Sequence, residues 1–254
     1  MSLSANPADL DPVRRTIAEQ MAPLVDLQRT LTLAWNLSVD RAAARGRIQT
    51  GSFGFDPLEV IGSAGDLIIP YIRVTVALEQ CGVTRDDEAA GARDSRFQVL
   101  TLIASWLSAE PMPRDPVRAL AWRSATIVGA SILRRASMDV RAGKTITGWA
   151  GMVCPCCGGA ADLALTHSEH RTLICSRCDG RWQAHRSRCL GCAADGPPAI
   201  ARVSAPLPGY ELSICNHCGR YLKERQGNGD LDLMVERALT AQMDAAAEMR
   251  GLKL

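Results

Sequence analysis

The sequence Cys154-Pro155-Cys156-Cys157 opens a stretch in which the pattern Cys-x-x-Cys occurs four times. Two intervening residues let the chain turn so that both sulfurs of a pair face one ion, and two such metal knuckles complete a tetrahedral site of four sulfurs. The four pairs are Cys154/Cys157, Cys175/Cys178, Cys189/Cys192 and Cys215/Cys218. The pattern therefore predicts two metal sites.

The lengths of chain between the pairs favour one arrangement of these sites. There are 17 residues between the first and second pairs, ten between the second and third, and 22 between the third and fourth. A hairpin of roughly 10 to 25 residues commonly closes a site of this kind. We therefore expect two tandem sites, one from the first two pairs and one from the last two. An interleaved pairing is the alternative.

The donor set limits the choice of metal. Four thiolates in a tetrahedron suit zinc and mononuclear iron alike, so we expect two mononuclear ions, iron or zinc. The predicted ligands are Cys154, Cys157, Cys175, Cys178, Cys189, Cys192, Cys215 and Cys218. A redox-active pair of the thioredoxin type would need a helix N-terminus within a βαβ pattern, and none is visible around these pairs.

The other cysteines and the histidines have simpler interpretations. Cys156 lies inside the first pair and is expected to point outward without binding the metal. Cys81 follows an apolar helical segment and is expected to be a small buried core residue. Because eight cysteines complete two sites, we expect the histidines to be solvated loop residues or hydrogen-bond donors. They are His167, His170, His185 and His217.

The part of the chain before the cysteines has the periodicity of helices. Between residues 11 and 142, apolar residues such as Leu24, Leu27 and Leu31 recur at spacings of three and four. After residue 149, short alternating segments between the cysteine pairs predict strands at 163–165, 171–174, 199–203 and 210–214. A final helix is predicted over 231–249, with Asp230 as its cap.

These segments predict an α+β multidomain chain. It consists of a helical domain at residues 1–148, four-cysteine modules at 149–187 and 188–225, and a C-terminal helix at 226–254. Hairpins this small bury little apolar surface, so a metal is expected to supply much of their stability.

Composition and missing motifs exclude several classes of protein. The 254 residues carry a net charge of +2 and are 47% hydrophobic, as in ordinary globular proteins. There is no basic and apolar leader at the N-terminus and no apolar run of roughly 18 residues, so we expect a cytoplasmic protein without membrane insertion. No phosphate-binding loop, Gly-x-Ser-x-Gly or His-Glu-x-x-His is present. We therefore expect no catalytic residues, and no cofactor apart from the metals.

The cysteine region resembles a known family. The matching segments are Cys154–Gly158, Arg171–Cys178 with Trp182, Arg188–Cys192 and Cys215–Lys223. They resemble the formate dehydrogenase accessory protein family, FdhE, and the helical half is similar mainly in its length. One departure from the family pattern is Cys156, inside the first knuckle.

The resemblance implies a cytoplasmic protein with a helical domain and two rubredoxin-like, zinc-ribbon-like modules. Family members are needed for active respiratory formate dehydrogenase, and they act on its catalytic subunit before export as accessory or proofreading factors. Iron is the metal associated with the family, and its ligands correspond to the eight cysteines of the four pairs. The implied partner is the formate dehydrogenase catalytic subunit, and no nucleic acid is expected.

Two other functions are alternatives. A zinc ribbon that binds nucleic acid would use basic residues beside Trp182, Tyr210 and Tyr221 to grip phosphates and stack bases, although the positive charge is thin for this role. An iron–thiolate protein could pass electrons. The arginines of the cysteine region either compensate the thiolate charge or form a docking patch. They include Arg171, Arg177, Arg186, Arg188 and Arg220.

Overall fold

The structure is a computed structural model that describes residues 12–83, 91–92, 98–166, 170–196, 198–205, 207–226 and 231–253. Within these residues the chain divides into two compact units. One holds residues 12–39 and 55–136, and the other holds residues 40–54 and 137–253. Residues 40–54 thus group with the cysteine region, although they lie far before it in sequence. The predicted domain boundaries after residues 148, 187 and 225 stay predictions.

The predicted helical half is confirmed. The described helices are α1 (Pro12–Ala34), α2 (Arg41–Gln49), α3 (Pro57–Gly62), α4 (Ile68–Gln80), α5 (Val99–Leu107), α6 (Pro116–Arg141) and, near the C-terminus, α7 (Leu233–Glu248). Asp40 caps α2 and Asp56 caps α3, each by accepting hydrogen bonds from two backbone N–H groups. None of the helices in the described part of the chain has the length and apolar character that a bilayer crossing requires.

Two pairs of buried polar side chains in the helical unit are hydrogen-bonded to each other. The Thr75 hydroxyl donates to Ser124 at 2.9 Å, and the Trp35 indole donates to Ser131 at 2.8 Å. Tyr71 is fully buried, and burial raises its pKa to about 12. Cys81 forms the C-terminal cap of α4 and is only partly buried, so the expectation of a core residue is wrong.

The cysteine region forms one sheet rather than two separate ones. Its strands are β1 (Ala161–Thr166), β2 (His170–Cys175), β3 (Arg181–His185), β4 (Ile200–Ser204), β5 (Tyr210–Cys215) and β6 (Tyr221–Gln226). Their order is β3-β2-β1-β6-β5-β4. Each half is an antiparallel meander, and the parallel pairing of β1 with β6 joins the halves. The four predicted strands correspond to β1, β2, β4 and β5, whereas β3 and β6 were not predicted.

The central strand β6 carries buried charges on both of its faces. On one face, Glu224 is fully buried and accepts hydrogen bonds from Arg171 at 2.6 Å, Thr166 at 2.8 Å and Ser213 at 2.5 Å. Burial raises the pKa of Glu224, but the charge of Arg171 and these hydrogen bonds outweigh it and lower the pKa. The stability from this pair is lost as the pH falls from about 4.3, the ordinary pKa of Glu, through the lower value of the folded chain.

The other face of the sheet is covered by α7. Lys223 donates to Asp244 at 2.6 Å, and Arg225 donates to Glu236 at 2.7 Å. Apolar residues of the helix pack there as well, since Met243 joins a buried cluster with the sheet residues. The helix begins after Asp232, which accepts a hydrogen bond from the backbone of Met234, while the predicted cap Asp230 lies outside the described residues.

We expect Glu224→Gln to lower the free energy of unfolding by about 3 kcal/mol, because the buried guanidinium of Arg171 then lacks a counter-charge. Urea unfolding of the metal-loaded chain, followed by circular dichroism, measures this loss. The control is Asp26→Asn, which removes an exposed pair with Arg29 and should change the free energy by less than about 1 kcal/mol. Equal effects of the two substitutions would contradict the account.

Candidate metal centre

The first and second cysteine pairs converge on one point. Their four sulfur atoms lie within 4.8 Å of one another, and all four residues are buried. The S···S distance is 3.6 Å from Cys154 to Cys178, 3.5 Å from Cys157 to Cys175 and 3.4 Å from Cys157 to Cys178. A disulfide would need about 2.05 Å. Four sulfurs at about 2.3 Å from a central ion would lie about 3.8 Å apart, so the arrangement fits a tetrahedral metal.

The third and fourth pairs form a second group of the same kind. Cys189 lies 3.6 Å from Cys218, and Cys192 lies 3.6 Å from Cys215, measured between sulfurs. These four sulfurs also lie within 4.8 Å of one another. The grouping is therefore tandem, not interleaved. Each group could hold one metal ion. That the eight cysteines are the ligands, and whether the ion is iron or zinc, stay predictions.

All four knuckles share one backbone turn. In each, the N–H of the first cysteine donates to the carbonyl five residues later, at 2.8 to 3.0 Å. The residue after the second cysteine has a positive φ in every case: Gly158 (72°), Asp179 (51°), Ala193 (59°) and Gly219 (70°). Backbone N–H groups point at sulfur within the turns, from Arg177 to Cys175 at 3.4 Å and from Gly191 to Cys189 at 3.2 Å. Such N–H groups offset the negative charge of metal-bound thiolates.

Glycines let the chain pass close to the sulfurs. A Cβ atom added at Gly180 would lie 3.0 Å from the sulfur of Cys154 and 3.1 Å from that of Cys178. A Cβ atom at Gly159 would lie 2.9 Å from the sulfur of Cys175. A side chain at either position would therefore displace a sulfur from the tetrahedron.

The first group is held by chain segments that are distant in sequence. The N–H of Gly54 donates to the carbonyl of Pro155 at 2.8 Å. Arg237 of α7 donates to Asp179 at 2.8 Å and to the carbonyl of Cys175 at 2.9 Å. The same guanidinium bonds Asp162 at 2.6 Å, so it fixes the second knuckle to the start of β1.

The second group lies nearer the surface. Cys189 and Cys215 are buried, but Cys218 is only partly buried and Cys192 is exposed. A cavity of about 80 Å³ borders this group and is lined by Cys189 and Cys215, together with Arg171, Arg220 and Leu222 among others.

The pKa values of the cysteines in the first group shift in opposite directions. Burial raises the pKa of Cys178, but hydrogen bonds from Cys154, Cys157 and Cys175 outweigh it and lower the pKa to about 5. Burial also raises the pKa of Cys154, and there the neighbouring thiols raise it further. A cysteine binds a metal ion as the thiolate, so metal binding releases protons from the thiols to solvent.

Cys156 is buried, contrary to the expectation that it points outward. It is fully buried, with its sulfur 3.6 Å from the hydroxyl of Ser137, so the expectation that it points outward is wrong. It does not belong to the group of four mutually close sulfurs. Its role as a non-ligand stays a prediction.

Among the described residues, no histidine side chain belongs to either group of sulfurs. The rings of His170 and His185 pack edge to face 5.7 Å apart at the ends of their strands, His217 is exposed, and His167 lies outside the described residues. Arg171 is paired with Glu224, and Arg186 with Glu211 at 2.6 Å. These two arginines therefore neutralise carboxylates rather than thiolates.

Known proteins share this architecture. The crystal structure of the FdhE protein from Pseudomonas aeruginosa superimposes with a TM-score of 0.55 and 17% identity, over 96% of this chain and 94% of that one. The chain has the fold of FdhE. The protein named FdhE homolog of Pasteurella multocida is 25% identical over 107 residues, which span 40% of this chain and 35% of the relative. No protein-family model matches the chain. The resemblance to the FdhE family is thus confirmed in its fold.

We expect Gly180→Ala to weaken metal binding at the first group by about 10- to 100-fold, because the new methyl group contacts two sulfurs. Competition with a chelator of known affinity measures the loss. Gly46→Ala is the matched control, since nothing lies within 4 Å of the added atom, and it should leave the affinity unchanged. The same weakening in both variants would count against the close packing.

We expect Cys175→Ser or Cys218→Ser to lower the metal content from two ions per chain to one, because each removes one of four sulfurs. Cys156→Ser should leave the metal content at two. Elemental analysis of the purified variants decides this. Equal loss in all three variants would overturn the ligand assignment.

Proposed function

We propose that the chain is an accessory factor in the maturation of formate dehydrogenase. The observation that carries the proposal is the presence of two tandem four-cysteine groups in the fold of FdhE, which extends over 96% of the chain. The sequence resemblance in the cysteine region supports it. In its finer form, the proposal is that the chain binds the catalytic subunit in the cytoplasm before export and acts as a proofreading factor.

The chemistry of the described residues fits binding better than catalysis. The ionisable groups that converge in the cysteine region are thiols with the spacing of metal ligands, and ion pairs buried within the sheet. Arg171–Glu224 and Arg225–Glu236 are ion pairs whose carboxylates are nearly fully buried. Such pairs position strands and helices. We therefore propose a non-catalytic role, in which the sheet and α7 form a rigid surface for the client.

The metal ions would give this surface its rigidity. When bound, an ion would cross-link two knuckles that adjoin the ends of strands. A small sheet buries too little apolar surface to hold these strand ends without such a cross-link. Cys175 ends β2 and Cys215 ends β5, so each ion fixes a strand end. Client binding is therefore expected to depend on metal loading.

The aromatic residues expected to stack on nucleic-acid bases are buried. Trp182 is 0% exposed, Tyr210 is 5% exposed and Tyr221 is 2% exposed. None of the three can stack on a base without leaving the core. Their burial favours the accessory role over a nucleic-acid-binding ribbon.

The redox alternative depends on the metal, because zinc has no second oxidation state to use. Loading the chain with zinc alone separates the two functions. If the zinc-loaded chain still matures formate dehydrogenase, electron transfer is not its role.

We expect a host strain that lacks this chain to lose formate dehydrogenase activity and to regain it with the wild type. Cys178→Ser should restore less than about a tenth of the activity, because it removes a ligand of the fully buried group. Cys156→Ser is the matched control and should restore activity fully. The catalytic subunit should copurify with the wild type and with Cys156→Ser, as detected by mass spectrometry. Full activity without the chain, or no catalytic subunit recovered with it, would contradict the proposal.

A further inference from the structure

The two four-cysteine groups differ in how far solvent can reach them. From this difference we infer that the second group is an exchangeable metal site, which yields its ion to small thiol or chelating ligands, whereas the first group retains its ion. The inference rests on the proposed binding of one metal ion by each group.

The exposure of individual cysteines carries the inference. In the first group, Cys154, Cys175 and Cys178 are 0% exposed and Cys157 is 3% exposed. In the second group, Cys192 is exposed and Cys218 is partly buried. The turn that holds Cys192 is open as well, since Gly191 before it is also exposed. An incoming ligand can therefore reach one side of the second tetrahedron but no side of the first.

The cover over the first group comes from outside its own hairpins. Gly54 bonds the first knuckle through the carbonyl of Pro155, and Phe53 packs beside Gly158. The hydroxyl of Ser137, in α6, lies close to the position of a Cβ atom at Gly180. Opening the first group would require these contacts to separate.

The second knuckle of the first group is also anchored by charge. Arg237 bonds both Asp179 and the carbonyl of Cys175. The carboxylates of Asp162 and Asp179 balance the charge of this arginine. In the second group, the residue that corresponds to Asp179 is Gly219, which follows Cys218 and has no side chain. That turn therefore lacks a side-chain bond of this kind at its left-handed residue.

Water can approach the second group from a further side. The cavity of about 80 Å³ is lined by Cys189 and Cys215, and it has room for several water molecules. The cysteines of the first group do not line this cavity. Protons needed by departing thiolates can therefore reach the second group.

The exchange involves no oxidation or reduction. An incoming thiol that has lost its proton, or a chelator, would donate an electron pair to the ion as Cys192 leaves it, and the freed thiolate of Cys192 would take up a proton. Cys189, Cys215 and Cys218 would be replaced in the same way, and the ion would leave with its charge unchanged. The four protons that the released thiolates take up would come from the incoming thiols or, with a chelator, from solvent.

The first experiment uses the full chain loaded with two zinc ions. The ions are released to the chromogenic chelator 4-(2-pyridylazo)resorcinol, and release is followed over time. We expect one equivalent to leave at least tenfold faster than the other. Release of both equivalents at one rate would overturn the inference while leaving the two metal sites in place. A chain that binds fewer than two ions would overturn the proposed sites and the inference together.

The second experiment locates the fast equivalent in the wild type. N-ethylmaleimide is added during the fast phase, and labelled cysteines are identified by peptide mass spectrometry. Label should appear on Cys189, Cys192, Cys215 and Cys218, while the four cysteines of the first group stay protected. Label on the first group during the fast phase would overturn the inference.

Matched variants provide an independent check. Cys192→Ser and Cys157→Ser each remove the second cysteine from the first knuckle of its group. Cys192→Ser should abolish the fast phase and keep the slow equivalent, whereas Cys157→Ser should keep the fast phase. The reverse pattern would contradict the assignment. If Cys157→Ser does not fold, the labelling of the wild type decides the question.

Discussion

Four sulfurs that meet at one buried point impose the constraint on which the cysteine region depends. Thiolates cannot be buried together without a cation, because the desolvation and repulsion of their charges would exceed what the hairpins gain by folding. The need to bring the sulfurs within 4.8 Å explains the shared knuckle turn, its left-handed residue and the glycines beside the sulfurs. The strands of the sheet adjoin the knuckles, since β2 and β5 each end at a cysteine.

Much of this arrangement follows from local sequence. The spacing of the cysteine pairs was enough to group them in tandem, because a knuckle is a local turn and a hairpin of suitable length can close only on a near neighbour. Longer helices before residue 142, such as α1, were predictable for a similar reason, since they display an apolar stripe, whereas α2 buries only Ala44. The parallel pairing of β1 with β6 had no such signal. Its partners, such as Ala164 and Glu224, are far apart in sequence.

Strand β6 shows why the local sequence pattern did not predict every strand. Its run Lys223-Glu224-Arg225 has the composition of an exposed loop, yet all three residues are buried. Each charge is satisfied by a residue from another element: Asp244, Arg171 and Glu236 respectively. Such partners are visible only once the chain has folded. The burial of Cys156 and the cover over the first group were missed for the same reason, because Ser137 and residues 53–54 come from distant parts of the sequence.

The two groups have the same donors but different surroundings, and this difference connects the structure to an accessory role. A closed group stabilises the sheet, and an open one remains accessible to solvent and small ligands. The central claim is that both groups are tetrathiolate metal sites. X-ray absorption spectroscopy of the purified chain tests it most directly, together with its metal content. The account predicts two ions per chain, each with four sulfurs at about 2.3 Å and no nitrogen or oxygen ligand. Fewer than two ions, or a mixed coordination shell, would contradict it.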